Sequence, residues 1–132
     1  MKREKQIQRI SRTALAIVWI WHGLVPKLIV QHPDETAPLV AMGMEAETAW
    51  MIVTITGIGE ILFGLLILFL PRSVWPLWLT VIAMSGLLLG VLFTTPEAIG
   101  GAFNPVTLNL LMIGMAAIAL FSDDKRDHNV NG

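Results

Sequence analysis

Cysteine is absent from these 132 residues. The chain therefore offers no thiol nucleophile, no disulfide exchange and no thiolate to ligate zinc or an iron–sulfur cluster. Charge is scarce too. Only 14% of residues are charged against 55% hydrophobic, with a mean hydropathy of +0.68, a balance outside that of ordinary soluble domains. The formal net charge of -1 gives no reason to expect a nucleic-acid partner. Neither a GxGxxG string nor a P-loop occurs, so the chain carries no nucleotide-binding fingerprint of its own. His22, His32 and His128 fall in three separate segments and make no ligand set, so no metal is expected. Internal repeats are also missing, and a single domain over residues 1–132 is the expectation.

What is present is blocks of apolar sequence. Four of them run over about 10–30, 50–70, 76–95 and 105–121, each near the ~20 residues that cross ~30 Å of hydrocarbon as a helix. They are continuously apolar, whereas barrel strands alternate polar and apolar residues over about ten positions. They are also apolar all round, and too little sequence lies outside them to cover a soluble bundle of such helices. The first block has too long a core for a cleaved signal peptide and lacks a small-residue cleavage site, so it reads as a retained span. The expected fold is all-α: an integral membrane four-helix bundle in contact with the lipid bilayer.

Charge placement orients it. Lys2, Arg3, Lys5, Arg9 and Arg12 precede the first block, Arg72 lies between the second and third, and Lys125 and Arg126 follow the fourth. The other two loops hold Asp34, Glu35, Glu45, Glu47 and Glu97 and no Lys or Arg. Both termini are therefore expected on the cytoplasmic side. The basic amino terminus doubles as a contact for anionic lipid. The long loop from Gln31 to Ala49 mixes Pro33, Pro38, Gly43 and acidic residues with Leu39, Val40, Met42 and Met44, which points to a short interfacial helix or lid. Asn104 and Pro105 form a cap and first residue for the fourth helix, and Pro76 suits the start of the third.

Glu60 is the one charge in the run from Trp50 to Leu70. A carboxylate at that depth costs a few kcal/mol or more, so it must be paired, protonated or beside a wet cavity. Gly57, Glu60 and Gly64 share a helix face, and the two glycines allow another helix to approach the backbone beside the carboxylate. Measured from the outer ends of the first two spans, Glu60 lies roughly 15 Å in and His22 roughly 12 Å, which makes His22 the preferred partner. Lys27 lies only about 5 Å in and is the competitor, either snorkelling outward or reaching inward. Trp19, His22 and Pro26 repeat the same helical spacing; Lys27, five residues from His22, turns well off that face. Pro26 removes the amide that would bond the His22 carbonyl. Asn109 falls about 8 Å below Asn104 on the fourth helix. Gly86 and Gly90, with Ser85, make a GxxxG pattern read as helix packing.

The string RISRTALAIVWIWHGLVPKL beginning at Arg9, the acidic HPDE that opens the loop, and TGIGEILFGLLIL around Glu60 together resemble the DoxX-like family of small four-span bacterial membrane proteins. The likeness extends from the first span through the fourth, with WIWHGLVPK and the GxGE element its most specific parts. It implies a multi-pass protein of the bacterial inner membrane, and some relatives are linked to quinone-dependent oxidoreductase systems. Three functional classes stand open. In the first, the chain is an accessory subunit that binds a quinone or another lipophilic molecule in an outer-half pocket bounded by Trp19, His22, Lys27, Glu60 and Asn109, with Trp21 adding apolar wall. His22 and Glu60 would there exchange protons, no cofactor is covalently bound, and an oxidoreductase partner supplies the redox centre. In the second, His22 and Glu60 are the catalytic acid and base of a membrane enzyme, with Lys27 holding an anionic group. In the third, these polar residues are interhelical glue in a packing or assembly protein. A homo-oligomer is compatible with each.

Overall fold

The computed structural model describes residues 2–94, 96–101 and 104–128, with side chains at all of these except 94, 97, 98 and 123–128. Among these described residues five α-helices follow one another: α1 (Lys2–Leu24), α2 (Pro33–Ala41), α3 (Ala46–Phe69), α4 (Trp75–Thr94) and α5 (Pro105–His128). A π-helical turn, Val25–Ile29, extends α1, and a short 3-10 turn, Pro96–Gly100, lies between α4 and α5. No strand occurs among the described residues.

Among the described residues three helices are long and apolar enough to cross a membrane: Ala46–Phe69, Trp75–Phe93 and Pro105–Ser122. A fourth crossing arises if Lys2–Ile29 and Pro33–Ala41, which meet at an 82° bend, count as one broken span. The buried stripes are narrow and spaced by threes and fours, as a helix seam requires. On α3 they are Ala49, Val53, Gly57, Gly64 and Ile67; on α5, Asn109, Met112, Ala116 and Ala119. Large apolar side chains point the other way, with Phe69 78%, Phe93 84% and Leu111 68% exposed. Small residues inside and large apolar ones outside is the arrangement that lipid permits and water penalises. Thr54, Thr56, Thr80 and Ser122 each return their hydroxyl to a carbonyl of their own helix three or four residues back, so these bonds do not cross between helices.

The chain divides into two compact units, Ala16–Phe69 and the remainder, Met1–Leu15 with Leu70–Gly132. In the second unit α4 packs on α5. The Asn104 carboxamide accepts from the Thr107 amide at 3.0 Å, capping α5 with Pro105 in its first position, as the sequence requires. Pro76 is the second residue of α4. Arg12 is buried, 3% exposed, and donates to the carbonyls of Leu70 (3.2 Å) and Ser73. It thereby satisfies two carbonyls of the turn that leads into α4.

Among the described residues, nothing packs closely on Gly86 and Gly90, where the sequence leads one to expect a helix contact. Both are exposed, and a Cβ added at either meets no atom within 4 Å. Their spacing fits a close helix approach, yet α4 buries Pro76, Leu77, Thr80 and Met84 instead. Gly86→Ala is therefore expected to leave the fold intact and to raise helix stability by up to about 1 kcal/mol, because alanine is the better helix former. Thermal or SDS unfolding of the purified protein measures it.

In the first unit the first apolar block is helical as expected, but its end is not regular. Pro26 cannot donate to the carbonyl four residues back, and the chain relaxes into a wider turn in which Val30 donates to Val25 and His32 to Pro26, each at 2.8 Å. Gln31, at φ 51°, then breaks the helix. The loop beyond contains the expected short helix: His32 caps α2 by accepting from the Asp34 amide, and Pro33 occupies the first turn. α2 is closed two residues past Ala41 by Gly43, φ 91°, where Gly43 donates to Val40 and Met44 to Leu39, a Schellman closure that calls for glycine in the left-handed region.

Candidate functional site

The site is built inside the Ala16–Phe69 unit, where α1 and α3 approach at two points seven residues apart. A Cβ placed on Gly64 would lie 2.9 Å from the Ala16 carbonyl oxygen and 2.7 Å from Ile20. One placed on Gly23 would run into the Gly57 carbonyl oxygen, and one on Gly57 would lie 2.9 Å from the Gly23 oxygen and 3.1 Å from Lys27 Cβ. Glycine is required at these positions because backbone meets backbone. The inward face expected of Gly57, Glu60 and Gly64 is thus present, and Gly23 supplies the reciprocal surface on α1. Between the two contacts, Trp19 and Phe63 meet edge to face with ring centroids 4.9 Å apart.

Lys27, not His22, is the partner of Glu60. The Lys27 ammonium donates to Glu60 Oε1 in a direct ion pair, and Glu35 Oε2 of α2 lies 3.9 Å from the same nitrogen. The three charged side chains are largely enclosed, 13% exposed for Lys27, 20% for Glu60 and 25% for Glu35. The wider π turn explains the change of partner: it alters the angular register after Leu24, so Lys27 packs over Gly57 and its stem runs along α3 to the carboxylate one turn on. It reaches inward rather than snorkelling away. One cation therefore faces two carboxylates. Glu60 Oε2 is buried and has no hydrogen-bond partner among the described residues. An ionised carboxylate oxygen in that position carries acceptor capacity that the surrounding chain leaves unused.

The other sequence candidates are placed differently. His22 is half-buried on α1 and makes no side-chain hydrogen bond or ion pair among the described residues. Trp19 is 9% exposed and packed against Phe63, whereas Trp21 is 59% exposed. Asn109 is buried on α5, in the other unit. Among the described residues no group of three or more His, Asp or Glu side chains is arranged to hold a metal ion. Glu35 was missed by sequence reasoning, which treated it as one of several loop acids. Its only signal was its place in the first turn of a helix that must fold back on α3.

Apolar helices with their large side chains turned outward define this as a small helical membrane protein. A family model matches residues 16–117, and the chain belongs to the DoxX-like family. The matched region includes Gly23, Lys27, Glu35, Gly57 and Glu60. Searches among curated proteins and among solved structures returned no match.

Proposed function

We propose that the chain is a four-span inner-membrane protein, both termini cytoplasmic, that binds a quinone or another lipophilic small molecule at Glu60 and Lys27 as the accessory part of a redox system. The observation that carries this reading is the unused Glu60 Oε2, buried beside a lysine that is already shared between two carboxylates. Such a pair fits a ligand with a hydroxyl to donate to Oε2 and a carbonyl to accept from Lys27 Nζ. A quinol and its quinone present those two groups on an apolar ring. His22 stands on α1 five residues before Lys27 as a second proton-carrying group. Electrons come from a partner protein.

A second reading is favoured by the two glycine contacts and the Trp19–Phe63 pair: Lys27 and Glu60 act as an ionic clamp that fixes the register of α1 on α3. Glu60→Gln separates the two, because the amide oxygen can still accept from Lys27 while the negative charge is lost. The ligand reading expects the unaltered protein to carry a lipophilic molecule through gentle extraction, detected by mass spectrometry, and the variant to stay folded and lose it. The clamp reading expects weaker folding and an unchanged lipid complement.

A further inference from the structure

The residues outside this site contain a second polar feature. Lys5, Gln8, Arg9 and Arg12 lie at positions i, i+3, i+4 and i+7, and so share one face of α1 over about 10 Å. That face meets the turn Pro71–Arg72, and the six residues line a cleft of about 200 Å³. Four of them are cations, and none of the described lining residues is a carboxylate. Gln8 and Arg12 form the buried floor, 7% and 3% exposed, and Arg12 is held in place by the Leu70 and Ser73 carbonyls. Arg9 and Arg72 are exposed at the rim.

We infer that this cleft binds a phosphate group, presented by the headgroup of an anionic phospholipid. Lys5, Arg9 and Arg72 bring three exposed positive charges to one cavity, where they repel one another at close range, and an anion that enters it removes that repulsion. Guanidinium groups suit phosphate because their planar forks bond two oxygens at once. The level is right for a headgroup: the apolar run of α3 ends at Phe69, so Pro71 and Arg72 lie immediately beyond it. Basic pockets at the ends of membrane helices take anionic headgroups for these reasons. The inference is independent of Glu60 and of any redox role.

The test uses the full chain in lipid nanodiscs and in detergent, with bound lipid counted by native mass spectrometry. Phosphatidylglycerol should be retained over phosphatidylcholine, and the double variant R9Q/R72Q should lower that retention about tenfold with an unchanged circular dichroism melt. R3Q, which removes one positive charge outside the cleft, should lower it less than twofold. Retention that resists millimolar inorganic phosphate supports the lipid as source, and displacement by phosphate supports the same anion site supplied from solution. Equal retention of the two lipids, or a loss with R3Q as large as with R9Q/R72Q, overturns the inference and leaves only a diffuse basic surface.

Discussion

Replacing Lys27 by methionine is expected to cost about 2–4 kcal/mol of stability. Methionine keeps most of the stem volume over Gly57 but removes the charge. Glu60 then sits in an apolar run with neither oxygen paired, and Glu35 loses its partner at 3.9 Å. Removing one member of a buried pair costs about 3–5 kcal/mol in soluble proteins, and the figure is lower here because all three side chains retain some exposure. The double variant Lys27→Met with Glu60→Leu should regain most of that loss, since an apolar pair of similar volume needs no desolvation. SDS unfolding of the four proteins of this double-mutant cycle gives the coupling directly. A Lys27→Met loss below about 1 kcal/mol would mean that Glu60 finds another partner.

Gly23→Ala is expected to be nearly as damaging, by about 1–3 kcal/mol. The added methyl runs into a backbone carbonyl and not into a side chain that could rotate away. The helices must separate, and separation at Gly23 also stretches the reach of Lys27 to Glu60. The comparison with Gly86→Ala is informative because both changes add one methyl to a helical glycine. One is expected to destabilise and the other to be neutral or stabilising. Equal effects at the two positions would contradict the close approach of α1 and α3.

The contrast between these glycines shows what the sequence could and could not reveal. Apolar blocks, the Asn104 cap, the short helix in the Gln31 to Ala49 loop and the Gly57–Glu60–Gly64 face are all local patterns, set by helical periodicity and turn chemistry, and the structure contains each of them. Which glycine pair is used is not local. Gly86 and Gly90 have the more familiar spacing, but the close contact is made by Gly23 and Gly57, with Ala16 and Gly64 matching them seven residues away on the antiparallel partner. The heptad from Ala16 to Gly23 was the available signal. The choice of Lys27 over His22 was hidden for a different reason. Depth favoured His22, and a regular α-helix would have turned Lys27 away. Pro26 was legible as a break in the ladder, but the direction in which the chain rewinds after it depends on what α3 offers, here a glycine and a carboxylate. Glu35 was hidden because a loop acid acquires a partner only when tertiary folding brings α2 back.

These residues converge on one chemical feature, a carboxylate that offers one oxygen to a lysine and whose other oxygen has no partner among the described residues. The most direct test is the titration of a short-chain quinol into the purified protein and its Glu60→Gln variant in nanodiscs, well below the melting temperature of both. A hydrogen bond to a charged acceptor contributes about 1.5–3 kcal/mol, so the variant should bind at least about tenfold more weakly while remaining folded. An unchanged Kd in the folded variant would contradict the account and leave Glu60 and Lys27 as a clamp between two helices.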